Sequence, residues 1–261
     1  MRVAFMADAA SFFKDIKAHP ESYYIIHYSS QHLFDEHIEG ATPRITSVVV
    51  LQYSTGQLQS FAIHTAADLL GIPRANIAAQ YDDVEREMLR QFYAFMATRT
   101  QHKWVHWNMR SIVFGFEHLA HRYQTLAGAN ANMPNIPIDN RINLNDVLRN
   151  RYGDLYAEHP QMINLARLQG EIPMHFLTGE QESAAFANQE YIRMHMSTIS
   201  KVQFFGYVIR QAIRGKLHTA SRALANQIDR LLESRGARLT AFCVTVLSVL
   251  SWVVFLARGL F

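Results

Sequence analysis

The sequence predicts an α/β fold, a mixed sheet flanked by helices, continued by a C-terminal helical stalk and one membrane-spanning helix. Three observations predict it. Three β-rich runs follow one another within residues 22–64, and helical and β-prone stretches alternate from residue 65 to residue 169. Finally, Leu239 to Ala257 runs for about nineteen residues without a charged side chain. At the helical rise of ~1.5 Å per residue, that length matches a bilayer hydrocarbon core.

From Ala7 to Ala18 apolar residues recur at helical spacing, Ala10, Phe13 and Ile16, and Pro20 ends the pattern. Tyr23 to Tyr28 and Ile45 to Tyr53 are rich in β-branched and aromatic residues and read as strands. Ser54, Thr55 and Gly56 form a turn into a third strand, Leu58 to His64. Helices are expected over Thr65 to Gly71 and Asp82 to Thr98; the second opens with Asp82, Asp83, Glu85 and Glu87, acids suited to the positive end of a helix dipole. Lys103 to Trp107 is short and β-prone, and Arg110 to Leu126 returns to helical spacing through Ile112, Phe116, Leu119 and Tyr123. A loop from Gly128 to Asn140 precedes helices at Leu144 to Tyr152, capped by Asn143 or Asn145, and at Pro160 to Gln169. Beyond Thr178 the pattern is helical again, with a break expected near Ser197 and another at Gly215.

Leu217, Leu224 and Leu231 then repeat at heptad spacing. They suit an amphipathic helix lying on the body or the membrane, or a seam for homo-oligomerisation. Arg230, Arg235 and Arg238 precede the apolar span and Arg258 alone follows it, which predicts a single-pass tail anchor with the body cytosolic and the C-terminus across the membrane. The N-terminus lacks the apolar core of a signal peptide. The organisation expected is an N-terminal helix over 1–21, an α/β domain over 22–170, its helical completion over 171–215, a juxtamembrane helix over 216–238 and the span over 239–257.

The one cysteine, Cys243, lies within the span, which excludes an intramolecular disulfide and a thiolate zinc cluster. A formal charge of +3 with scattered Lys and Arg excludes a polybasic tract. Neither a phosphate-binding glycine loop nor a nucleophile elbow is present.

Three antiparallel strands, a helix, a strand and further helices is the element order of the ribonuclease H-like fold. Two stretches carry the likeness further. Val105 to Tyr123, VHWNMRSIVFGFEHLAHRY, resembles the His-Asn-x-x-Phe-Asp motif of the proofreading-type 3′–5′ exonucleases, with Trp107 and Asn108 at its His-Asn pair. Asn143 to Gly153, NLNDVLRNRYG, is similar to the helix that follows in that family. The resemblance spans Tyr23 to Gly170 and implies the fold. It also exposes a departure: His27, Tyr28 and Ser29 stand where the family's first strand carries Asp-x-Glu, Ser111 or Ile112 where the second motif carries Asp, and Glu180, Glu182 and Glu190 lack the last motif. Those enzymes work through two metal ions held by four acids. Without the acids, the resemblance implies a domain that binds rather than cleaves and needs no cofactor.

Two sets of residues could still carry function. Trp104, Trp107, Asn108, Arg110 and Arg122 combine stacking surface, an amide and guanidinium groups, a set suited to nucleic acid. Alternatively His27, Asp35, His37 and Glu117 supply relocated ligands for a divalent metal ion, in a membrane-anchored nuclease or phosphodiesterase. His102, His106, His118 and His121 crowd the strand-helix joint and read as hydrogen-bonded core histidines. The sequence therefore predicts a membrane-tethered binding or scaffolding protein whose ligand is nucleic acid or another protein.

Overall fold

The computed structural model describes residues 8–31 and 42–221, which fold as a mixed five-stranded sheet with helices on both faces. The strands are β1 (Tyr23–Ser30), β2 (Ile45–Gln52), β3 (Leu58–Ala62), β4 (Lys103–His106) and β5 (Arg141–Asn143), in the order β3-β2-β1-β4-β5. β1 pairs antiparallel to β2 and parallel to β4, and β4 pairs parallel to β5. The helices are α1 (Ala9–Ala18), α2 (Ile63–Leu69), α3 (Tyr81–Ala97), α4 (Phe116–Ala127), α5 (Leu144–Tyr152), α6 (Gln161–Leu168), α7 (Gly179–Ala187) and α8 (Tyr191–Ile213).

Alternation along β1 divides the core in two. Tyr23 and Ile25 face a layer with Phe12, Phe13 and Ile16 of α1, Val147 and Leu148 of α5, Leu165 of α6 and Phe205 and Ile209 of α8. Tyr24, Ile26 and Tyr28 face the other layer, with Val84, Met88 and Phe92 of α3 and Leu119 and Tyr123 of α4. Every residue of β1 is buried, as expected of a central strand covered on both faces. The N-terminal helix and the helices beyond residue 170 thus share one core with the sheet.

Helix α8 crosses β1 and β2 closely because Gly206 faces them. A Cβ there would stand 3.0 Å from Leu51 Cδ2 and 3.5 Å from Ile25 Cδ1. The helix ends in a Schellman turn: Lys216 N–H donates to Gln211 O, Gly215 N–H donates to Ala212 O, and Gly215 takes the left-handed φ of 67° that this turn requires.

Several expectations shift. The break expected near Ser197 is absent, and α8 runs through it; the chain instead turns at Asn188 to Glu190, where Gln189 adopts φ 59°. The helix expected from Arg110 starts at Phe116, because residues 110–115 close into a short loop bridged between Arg110 and Gly115. His64 belongs to α2 rather than to the third strand. Asn143 caps α5 by accepting from the backbone N–H of Asn145, and also ends β5.

Leu217 departs from the heptad seam. It is fully buried in the body's own core, and the chain around it is pinned down: His218 N–H donates to Gln169 Oε1, Ala220 N–H to Tyr156 O and Ser221 Oγ to Tyr152 O. Leu224, Leu231 and the span over 239–257 lie outside the described residues. Among the described residues, no helix is long and apolar enough to cross a membrane.

Candidate functional site

Where β1 passes beneath α8, polar side chains meet inside the protein. Ser29 projects toward α7 and α8, and Ser47, its partner across the β1–β2 ladder, toward α8. Helix α7 opens with a capping box between Thr178 and Gln181, which sets Glu182 in its first turn, where the helix dipole favours a carboxylate. Glu182 Oε1 accepts from Lys201 Nζ at 2.7 Å, Ser197 Oγ at 2.9 Å and Ser29 Oγ at 3.1 Å. Thr198 Oγ1 donates to Met194 O and lies 2.6 Å from Ser29 Oγ and 2.9 Å from Ser47 Oγ. The Lys201 ammonium also sits 5.2 Å from the centre of the Phe176 ring.

His27 precedes this cluster on the same strand face. Its ring packs against Phe114 and Phe205, and Nδ1 is buried without a partner. Burial, reinforced by the nearby charge of Lys201 and by His106, holds its pKa well below the usual histidine value, so the ring is neutral. A second buried atom, Glu182 Oε2, also lacks a partner.

His27 and Ser29 are the positions at which the resemblance expects two metal-binding acids. The side chains present do not fit a pair of divalent ions. Their one carboxylate, Glu182, is already neutralised by an ammonium, and the others are hydroxyls and a neutral imidazole. Hard cations need several oxygen ligands of net negative charge, and here the positive charge is supplied by lysine.

A second polar cluster lies at the carboxyl ends of β4 and β5, the end of a parallel pair where open sheets take ligands. Asn108 follows β4 with a left-handed φ of 53°, a conformation asparagine tolerates better than most residues. Its backbone N–H donates to Asn143 Oδ1 at 2.9 Å, and its Oδ1 accepts from Asn143 Nδ2 at 3.1 Å and Asn145 Nδ2 at 3.2 Å. Tyr156 OH donates to Asn145 Oδ1, and Asn143 Nδ2 also donates to Asp146 Oδ2. Asp146 holds Arg110 through Nη1 at 2.5 Å. Asn108 is exposed and its oxygen is doubly engaged, which leaves its amide nitrogen as the group available to a ligand, and the Arg110 guanidinium two residues on is exposed as well. Ile112, 73% exposed, lies in the neighbouring loop.

The nucleic-acid set predicted from sequence is therefore divided. Asn108 and Arg110 share this surface. Trp104 is sealed on one face of the sheet, stacked on Tyr24 with Nε1–H donating to Arg99 O, and Trp107 is buried on the other, stacked on Phe205. Arg122 is buried too: its guanidinium donates to both oxygens of Glu85 and to Asp82 Oδ1. None of these three offers a stacking or phosphate-binding surface.

The relocated metal set is divided as well. His27 packs between phenylalanines, whereas Glu117 is exposed and accepts from Arg141 Nη1. Asp35 and His37 lie outside the described residues. Among the described residues, no group of three or more His, Cys, Asp or Glu side chains is arranged to hold a metal ion.

The four histidines near the strand-helix joint play separate parts. His106 Nδ1 accepts from Met109 N–H, and burial lowers its pKa to about 3. Gly115 N–H donates to Tyr28 OH, which bonds His118 Nδ1, while His118 Nε2 bonds Pro43 O. Burial lowers the His118 pKa to about 4, so one ring nitrogen accepts the phenol proton and the other donates to the carbonyl. His102 lies edge-on to Tyr24, and His121 is exposed.

Sequence reasoning singled out His27 but passed over Ser29, Ser47, Ser197, Thr198 and Lys201 as a group. Small hydroxyls as far as 169 residues apart carry no local pattern. The one signal was Lys201, a lysine among the mostly apolar positions of a long helix.

No family model matches the chain, and neither a curated protein nor a solved structure matches it.

Proposed function

We propose that this chain is a membrane-tethered binding or scaffolding protein built on a ribonuclease H-like domain that has given up two-metal chemistry, with single-stranded nucleic acid as ligand. The observation that carries the reading is Lys201. Its ammonium stands beside Ser29, at the place where the resemblance expects acids and cations, and shares Glu182 Oε1 with Ser29. An internal cation there supplies the positive charge that a metal would bring, without a water or phosphate to activate.

The element order supports the fold assignment: three antiparallel strands, helices, a strand joined in parallel to β1, then further helices. Asn108 and Arg110 support the ligand class. An exposed amide nitrogen can read the acceptor edge of an unpaired base, and an exposed guanidinium can hold phosphate. The anchor of the reading is the uncharged run from Leu239 to Ala257, with arginines on its N-terminal side keeping the body cytosolic.

The test uses the full chain in detergent micelles with labelled single-stranded DNA and RNA, followed by fluorescence anisotropy and by gel assay for cleavage with added Mg2+ or Mn2+. Binding without cleavage is expected, weakened at least fivefold in Asn108→Ala and Arg110→Ala. Arg110→Ala should also show a shallower dependence on salt, since one phosphate contact is lost. Cleavage above background, or binding unchanged in both variants, would overturn the reading. Deletion of residues 239–257 should move the protein from the membrane to the soluble fraction.

A further inference from the structure

His64, in the first turn of α2, and His195, in the second turn of α8, bring their rings to a centroid separation of 5.1 Å at an interplanar angle of 46°. Each has a nitrogen sealed from solvent with no hydrogen-bond partner: Nδ1 of His64 and Nε2 of His195. A buried nitrogen without a partner destabilises the fold, because it has given up its bond to water and gained none in return. Two on adjoining rings mark a place where something polar belongs.

We propose that His64 and His195 form a binding site for one borderline-soft divalent transition ion, Zn2+, Ni2+ or Cu2+, which clips α2 to α8. Imidazole suits these metals. Metal–nitrogen bonds of about 2.0–2.1 Å, lengthened by a ring radius of about 1.2 Å and opened to the tetrahedral angle, put two imidazole centroids roughly 5.2–5.4 Å apart. The observed 5.1 Å lies about 0.1 Å below that range, a gap that a slight narrowing of the angle at the metal closes.

The electrostatics agree with the geometry. Burial, together with its neighbour His64, lowers the His195 pKa to about 4, and burial with the charge of Arg74 lowers that of His64. Both rings are therefore neutral near pH 7, so a metal meets no proton to displace. Asp68, one turn along α2 from His64, is held by Arg74 at 3.2 Å. No third protein ligand is arranged around the pair among the described residues, so water fills the remaining positions. The site shares no residue with the Asn108 surface or with the cluster around Lys201.

The full chain in detergent micelles, stripped of metal, is titrated calorimetrically with ZnCl2 and NiCl2, alongside His64→Ala and His195→Ala. One ion per chain is expected, with affinity falling more than tenfold in each variant and circular dichroism unchanged. Because either variant could disturb packing, Cu2+ bound at one equivalent to the unaltered protein is also examined by electron paramagnetic resonance, where coupling to two imidazole nitrogens is expected. Absence of binding below millimolar concentration, unaltered affinity in both folded variants, or a Cu2+ spectrum without two coupled nitrogens would overturn the proposal.

Discussion

Lys201 Nζ lies 2.7 Å from Glu182 Oε1, and the two side chains are only 4% and 1% exposed. A buried ion pair of this kind adds little net stability over an apolar pair of the same size, because desolvation offsets most of the attraction. Its asymmetry is what matters: removing either partner strands the other charge.

Lys201→Met is therefore expected to destabilise the fold by about 3–5 kcal/mol, and Glu182→Gln by a comparable amount. The double variant should be more stable than the sum of the single losses implies, with a coupling of roughly 1–3 kcal/mol. Urea unfolding followed by tryptophan fluorescence measures all three. Additive losses would mean that the two charges do not act as a pair.

Stability should fall on mild acidification. His27, His106 and His118 are 3%, 3% and 0% exposed, and burial holds each below the ordinary value of 6.5, with His106 lowered to about 3 and His118 to about 4. A histidine with a depressed folded pKa binds its proton in the unfolded chain first. Its contribution is thus complete above about pH 6.5 and is lost as the pH falls toward the folded value, at up to ~1.4 kcal/mol per pH unit for each ring. Glu85, whose pKa burial raises, opposes the trend in the carboxylate range. Denaturation midpoints between pH 7 and pH 5 test this, and His118→Gln should flatten the slope.

The sheet was legible because its strands announce themselves. YYIIHY and ITSVVVL are β-rich over six or more residues, long enough to outweigh helical alternatives, and both form strands. β5 was missed because Arg141 to Asn143 is too short to show alternation; pairing with β4, not local preference, makes it a strand. Trp104 and Trp107 misled for a related reason. Three residues apart on an extended chain, they point to opposite faces, so neither joins a common surface, and both are taken up by the two cores. Asn108 was identified as a site residue, but its amide partners Asn143 and Asn145 were read only as caps, since nothing local says that β5 ends beside β4.

The backbone and the amide of Asn108 can be tested apart. Asn108→Gly keeps the left-handed φ of 53° accessible but removes the side-chain bonds to Asn143 and Asn145. Asn108→Val removes the bonds and adds a branched Cβ where the conformation is strained. Thermal unfolding should show Val less stable than Gly by about 1–2 kcal/mol, while both weaken oligonucleotide binding alike. Equal stability would indicate that the loop relaxes out of this conformation.

Arg122 separates architecture from recognition. Its guanidinium is 9% exposed and directs Nε and Nη2 at Glu85 and Asp82, while Glu85 also accepts from Ile45 N–H at 2.8 Å. These bonds tie α4 to α3 and α3 to the start of β2, beside the chain that carries Pro43 to His118. Arg122→Ala leaves the fully buried Glu85 carboxylate with one backbone donor, and should cost about 3–5 kcal/mol. Arg122→Lys keeps the charge but loses the forked geometry, and should recover only part of that loss. At a temperature where both variants remain folded, their affinity for single-stranded oligonucleotides should equal that of the unaltered chain, in contrast to Arg110→Ala. A selective loss of affinity in the Arg122 variants, with stability intact, would return this arginine to the binding surface and require α4 to open toward the ligand.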